Sequence, residues 1–380
     1  MLLRWRTPVV SAVVIWFAAR LLITAVAIAA HLRTDGTYFA KPGWFSSLFF
    51  HWDSLYFAGI AKNGYFSPEA HSTWVAFFPG YPAVAGGFTR LFSGAAMEGG
   101  IRLTLCIVAG LAAAASGVAL WRLVEDRYGR RVALAATVLY FFGPYSVFLV
   151  ASYSESLYLA LGIAAWWCVS RGRWVVGGIL LGFAGATRIN GVFLTAALIV
   201  MLIGLLRVER RPWVARAIAF AALSLSGVAA YMLYLWARTG DLMAWSHAQT
   251  DGWHRVTTWP WRTLHSTIVA AAIEPAPDVR LQLVLDIVFA VLCCTGLVLL
   301  LLKRRWPESV LVGLTLVSLM TSASYTSLAR NSITLFPLVI LVASSLGSRR
   351  WRWAYWVLLA FGLALLGINT WLFTLGAWAD

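Results

Sequence analysis

Charge is scarce in this chain of 380 residues: 12% of them are Asp, Glu, Lys or Arg, and only 15 are acidic. A water-soluble domain carries about twice that share to cover its surface, so the shortage excludes an ordinary soluble fold. Lysine is scarcer still. Only Lys41, Lys62 and Lys303 stand against 27 arginines, a bias compatible with a bacterial plasma membrane. Cysteine is limited to Cys106, Cys168, Cys293 and Cys294, all inside apolar runs. No pair has metal-ligand or redox spacing, which removes structural zinc and dithiol chemistry and leaves small core residues. HExxH, Walker and GxGxxG patterns are also missing, so nucleotide hydrolysis and dinucleotide redox chemistry find no support.

What fills the chain instead is hydrocarbon, with 61% of the residues hydrophobic. Apolar runs of roughly 17 to 25 residues recur along it, each long enough to cross a hydrocarbon core about 30 Å thick as a helix. The runs are continuous and not alternating, which argues for helices over a closed barrel. The first, from Pro8 to Ala30, is too long for a signal-peptide core and no small-residue cleavage site follows it, so it reads as a retained helix. A net charge of +15 in a soluble protein suggests nucleic acid. Here the arginines cluster in short loops, a topological signal, and no nucleic-acid partner is expected.

Positive short loops stay in the cytoplasm. The clusters are Arg4 and Arg6; Arg122, Arg127, Arg130 and Arg131; Arg171 and Arg173; Arg207, Arg210, Arg211 and Arg216; Lys303, Arg304 and Arg305; and Arg349, Arg350 and Arg352. Placing all six inside gives a single membrane domain, 1–380, with roughly eleven spans. These fall near 8–30, 101–121, 132–150, 154–170, 174–188, 191–206, 214–236, 281–302, 308–323, 331–346 and 353–373. The N-terminus is then cytoplasmic and the C-terminus outside, with two long outer loops at 31–100 and 237–280. Phe77 to Phe92 cannot cross without inverting the four-arginine loop, and Pro79, Gly80, Pro82, Gly86 and Gly87 make it a poor span. It is expected to lie on the outer surface or to dip in and return. The segment between Arg173 and Arg207 must break at Arg188-Ile189-Asn190-Gly191, which brings an arginine and an asparagine to the outer side.

The unusual chemistry gathers on that outer side. His51-Trp52-Asp53-Ser54 opens an amphipathic helix at headgroup depth, where the Asp53 carboxylate is ionised at neutral pH and able to take a proton from a sugar hydroxyl. Helix capping is the alternative for Asp53. Glu69 and His71 in the same loop are weaker candidates, with a solvated-loop role the plainer reading of both. Arg188 needs an anion, either a phosphate suited to its forked donors or a salt bridge to Glu155 or Asp53. Arg330, with Asn331, raises the same choice, with snorkelling as its plainer role. Glu155, in the turn Tyr153-Ser154-Glu155-Ser156, is placed to orient an arginine or bind an acceptor hydroxyl. Arg20, midway along the first span, reads as structural. Trp245, His247, Trp253, His254, Arg255, Trp259 and Trp261 in the second outer loop suit a sugar-stacking wall or an interfacial helix.

The segments HWDSLYFAGIAKNGY (51–65), AFFPGYP (76–82), SVFLVASYSESLYLAL (146–161) and ATRINGVFL (186–194) resemble the PIG-V family, the second mannosyltransferases of GPI-anchor assembly, and its bacterial relatives. AWSHAQ (244–249) and TSLARNSITLFPLVI (326–340) extend the likeness more loosely. The resemblance implies an all-α, GT-C-like bundle with interfacial helices in the first outer loop and an active site facing away from the cytoplasm. It implies a polyprenyl- or dolichyl-phosphate mannose donor, a glycolipid or glycan acceptor, and Asp53 as the base. Arg188 and Arg330 are then candidates for the donor phosphate. His51, Trp52, Glu69, Tyr81, Glu155, Asn190, His247, Trp253 and Arg255 are candidates for substrate contacts. No cofactor is expected, a divalent metal is left open, and the oligomeric state is not fixed by the sequence. A secondary transporter and a lipid-linked sugar flippase are the rival readings, since a broken helix pair with polar residues also describes a solute pathway.

Overall fold

The apolar runs form helices throughout. A computed structural model describes residues 8–35, 37–41, 43–93, 97–209, 212–346 and 351–379, and among them there is no strand. Arg4, Arg6, Arg210, Arg211, Arg349 and Arg350, used for the topology, lie outside the described residues. The long helices are α1 (Pro8–Thr34), α5 (Met97–Tyr128), α9 (Gly191–Val208), α10 (Val214–Thr239), α13 (Pro277–Leu302) and α17 (Arg352–Thr374). Six helices of the described residues are long and apolar enough to cross a membrane, as a multi-pass membrane protein requires. Between them lie α6 (Arg130–Phe141), α7 (Glu155–Ser170), α8 (Trp174–Gly185), α14 (Trp306–Met320), α15 (Leu328–Asn331) and α16 (Phe336–Leu346). The two long connections hold α2 (Trp44–Ser47), α3 (Asp53–Asn63), α4 (Gly80–Ser93), α11 (Ala244–Trp253) and α12 (Pro260–Ile273).

Two expected spans are interrupted, and proline explains both. The run 132–150 is helical only to Phe141, because Pro144 has no N–H to donate and restrains Gly143; a single 3-10 turn, Ser146–Leu149, follows. The run 331–346 is bent by 74° between Leu328–Thr334 and Phe336–Leu346, at the residues preceding Pro337. Within Phe77–Phe92 the helix α4 has 14 residues, short for a crossing, and packs on α3 and α5.

Close backbone approach fixes the part of the bundle that matters for the site. A Cβ on Gly227 of α10 would lie 1.9 Å from the carbonyl oxygen of Gly182 on α8, and one on Gly191 would lie 2.5 Å from Gly185 Cα. Small residues therefore let α8, α9 and α10 touch, as membrane helices do when packing and not hydrophobic exclusion drives association. The α8–α9 turn, Ala186–Asn190, is clamped by these contacts.

Candidate active site

Four chain breaks meet beside one cavity of about 450 Å³. They are the start of α3 at Asp53, the start of α7 at Glu155, the α8–α9 turn carrying Arg188, and the short helix α15 carrying Arg330. Asp53 and Glu155 are each the first residue of a helix, where unsatisfied N–H groups favour a carboxylate. The first two breaks are stitched together. Ser152 N–H donates to Phe49 O at 3.1 Å, and Tyr153 Oη donates to His51 O at 3.2 Å.

The side chains form one ionic chain. Arg330 Nη2 donates to Asp53 Oδ2 at 2.8 Å, and Arg330 Nε donates to Glu155 Oε1 at 2.9 Å. Arg188 Nη1 lies 3.0 Å from that same Glu155 oxygen. Arg188 also donates to Ser154 Oγ and Asn331 Oδ1, both at 3.2 Å. The Arg330 guanidinium lies over the rings of Phe148 and Tyr153, at 4.7 and 4.5 Å. Side-chain exposure rises from 1% at Glu155 to 8% at Arg330, 18% at Arg188 and 25% at Asp53. Glu155 is thus the fixed anion at the base of the cluster, and Asp53 is the carboxylate a molecule in the cavity can reach. Two cations and two anions balance, which lets the group sit in a low-dielectric site; deleting the buried Glu155 carboxylate would leave its guanidinium partners short of an anion at a cost of about 3–5 kcal/mol.

Aromatic rings complete the wall. Tyr56 stacks on Phe77 with centroids 4.7 Å apart, and Trp253 packs edge-on against Phe77 at 5.4 Å. Trp52, Asn190, Trp245 and Arg255 also line the cavity. The buried backbone of the Phe77 loop finds partners from distant elements, as a loop inside a bundle must. Tyr65 Oη donates to Phe77 O at 2.7 Å, Tyr231 Oη to Val75 O at 2.8 Å, and Trp245 Nε1 to Ala76 O at 3.1 Å.

A second, apolar groove of about 620 Å³ runs between α8 and α10, lined by residues such as Pro79, Ile179, Phe183, Ala186, Ala230 and Tyr234. The two spaces are neighbours along the chain. Phe77 and Phe78 line the cavity and Pro79 the groove, while Thr187 and Arg188 line the cavity and Ala186 the groove. Gly80 N–H donates to Ala186 O at 2.6 Å and locks these two crossings together. A Cβ on Gly80 would meet that oxygen at 2.7 Å, so glycine is required there.

The structure brings Asp53, Arg188 and Arg330 together, with Trp52, Asn190, Trp253 and Arg255 around them. Of the two roles open to Glu155, the arginine contact is the one seen, and its side chain is 1% exposed. Four expected substrate contacts move elsewhere. Tyr81 is fully buried and donates to Leu105 O at 2.8 Å, because it faces the α4–α5 seam. His51 packs edge-on against Phe373, and burial together with the nearby His31 lowers its pKa, keeping the ring neutral. Glu69 is exposed on its loop. His247 pairs with Asp241 at 2.8 Å on the surface. Tyr56, Ser154, Ser327 and Trp378 line the cavity without having stood out in the sequence, since a lone aromatic or hydroxyl residue carries no spacing signal.

Residues 39–250 match the family described as Mannosyltransferase (PIG-V). The chain is 32% identical over 148 residues to mouse (Mus musculus) GPI alpha-1,6-mannosyltransferase 2, covering 37% of this chain and 29% of that protein. It is 25% identical over 176 residues to GPI mannosyltransferase 2 of Yarrowia lipolytica, covering 46% of each. These alignments span less than half the length of the relatives. In fold, the chain is similar to the Archaeoglobus fulgidus oligosaccharyltransferase, with a TM-score of 0.50 at 11% identity, covering 94% of this chain and 52% of that one. The matched stretch, more than half of the chain, holds Asp53, Glu155 and Arg188, and by it this chain belongs to the PIG-V mannosyltransferase family.

Proposed function

We propose that the chain transfers mannose from a polyprenyl-phosphate mannose to a hydroxyl of a glycolipid or glycan on the non-cytoplasmic face of its membrane. The observation that carries this reading is a partly exposed carboxylate, Asp53, joined through Arg330 and Glu155 to a second arginine at the rim of a cavity. The apolar groove beside Ala186 supplies room for the lipid chain of a donor whose phosphate sits at Arg188, because the same short turn borders both spaces.

In the resting enzyme Arg330 holds Asp53. A donor phosphate entering beside Arg188 offers Arg330 another anion, so the carboxylate is released as the site fills. Asp53 then takes the proton of the acceptor hydroxyl while that oxygen forms a bond to the anomeric carbon. The carbon–oxygen bond to phosphate breaks, and the electron pair leaves with the lipid phosphate, stabilised by the two guanidinium groups. Attack opposite the leaving group inverts the anomeric centre, so a β-linked donor gives an α-linked product.

The test is incubation of membranes containing the protein with radiolabelled polyprenyl-phosphate mannose, followed by isolation of the labelled product. A new α-mannosidic linkage is expected. Label that crosses the bilayer still attached to its lipid, or a solute taken up without any glycoside formed, would replace transfer with flipping or transport.

A further inference from the structure

The cavity has an aromatic edge that the transfer chemistry leaves unused. After α17 the chain turns at Gly376, whose φ of +74° suits glycine, and runs back over the cavity. Trp378 N–H donates to Asp278 Oδ2 at 3.0 Å, which pins the segment to the start of α13. The Trp378 ring meets Trp52 edge-on, centroids 5.6 Å apart at 74°, and both line the cavity. Trp52 is 44% exposed and adopts φ 51° and ψ −114°, a backbone region that a large residue occupies only when its surroundings impose it. A costly conformation thus holds an exposed indole immediately before Asp53.

We infer that Trp378, together with Trp52, is a specificity-determining residue on the acceptor side, stacking on the sugar ring that carries the attacking hydroxyl. This rests on the mannosyl-transfer reading. The lipid phosphate approaches from the groove at Pro79 and Ala186, on the α8 and α10 side. The C-terminal segment that carries Trp378 follows α17, which packs on α1, α16 and the Ser146–Leu149 turn. The acceptor oxygen must touch Asp53, and Trp52 is its covalent neighbour. An indole face is apolar and electron-rich, and the C–H face of a pyranose is apolar and weakly positive, so the two stack; a serine or threonine hydroxyl on a polypeptide has no such face. Trp378 lies beyond residue 250, where the family match ends.

The experiment uses the full chain in membranes, polyprenyl-phosphate mannose as donor and octyl α-mannopyranoside as acceptor probe, with both KM values measured. Trp378→Ala is expected to raise the KM for octyl mannoside about tenfold, with Trp378→Phe restoring most of the loss and the donor KM staying near that of the wild type. A donor KM that rises by the same factor in Trp378→Ala, or an acceptor KM that does not move, would overturn the assignment. Wild type that releases mannose to water yet never to octyl mannoside overturns it as well. Wild type that consumes no donor at all refutes the transfer reading itself, a separate result.

Discussion

The cavity at Asp53 and the groove between α8 and α10 meet at the crossings Phe77–Phe78–Pro79 and Ala186–Thr187–Arg188, yet they differ in charge. One is bordered by carboxylates and guanidinium groups. The other shows hydrocarbon, glycine and tyrosine, with Phe183 63% exposed at its edge. Under the proposed function the phosphate of a lipid-linked donor lies at the first and its hydrocarbon chain in the second. Arg20 is instructive beside the ionic cluster. It is also a cation inside the bundle, but its Nη2 reaches only Cys106 Sγ at 3.2 Å, and Nη1 is buried without a hydrogen-bond partner. That cation is left with soft neighbours, whereas the charges at the cavity are given carboxylates.

Substitutions can break this contrast between the two spaces. The largest effect is expected at Asp53, where Asn keeps the shape and removes the base; transfer should fall by about 10²–10⁴-fold with protein level retained. Arg188→Ala should lower kcat/KM for the donor by about 100- to 1000-fold, since it deletes a contact to the leaving phosphate. Equal loss for a soluble mannoside donor lacking phosphate would show that Arg188 acts by folding alone. Ala230→Trp fills the groove from an exposed position and should raise the donor KM about tenfold, leaving turnover at saturation near wild type. An unchanged KM would detach the groove from the substrate. Arg20→Met should change neither KM by more than about threefold, as a residue outside both spaces.

The smallest effect is one of pH. Burial lowers the pKa of His51 from its ordinary 6.5, so the unfolded chain binds a proton near that pH and the folded chain only below it. Stability is therefore unaffected by His51 well above pH 6.5 and declines as pH falls through that value. Thermal denaturation of His51→Gln should show a shallower acid decline, and an identical slope would mean that other groups set it.

The sequence reveals local patterns well and distant partnerships poorly. Continuous apolar runs locate the long helices, and loop arginines with a central Arg-Ile-Asn-Gly mark the α8–α9 break, because both signals lie within a few turns of chain. Asp53, Arg188 and Arg330 stand out as ionisable residues at the edges of such runs. Their connection does not, since the Arg330–Asp53 contact spans 277 residues and Arg330–Glu155 spans 175. Glu155 looked as available as Asp53 because spacing carries no information about depth. Tyr81 sits within a motif but turns into the α4–α5 seam, a choice made by packing. Trp378 was invisible for the opposite reason: it lies outside any motif and reaches the cavity only through the turn at Gly376.

The most direct measurement compares wild type with Asp53→Asn at equal protein amount in membranes, following both binding of polyprenyl phosphate and transfer of labelled mannose. The account predicts that binding persists while transfer is lost. Transfer at a near-normal rate by Asp53→Asn would contradict it.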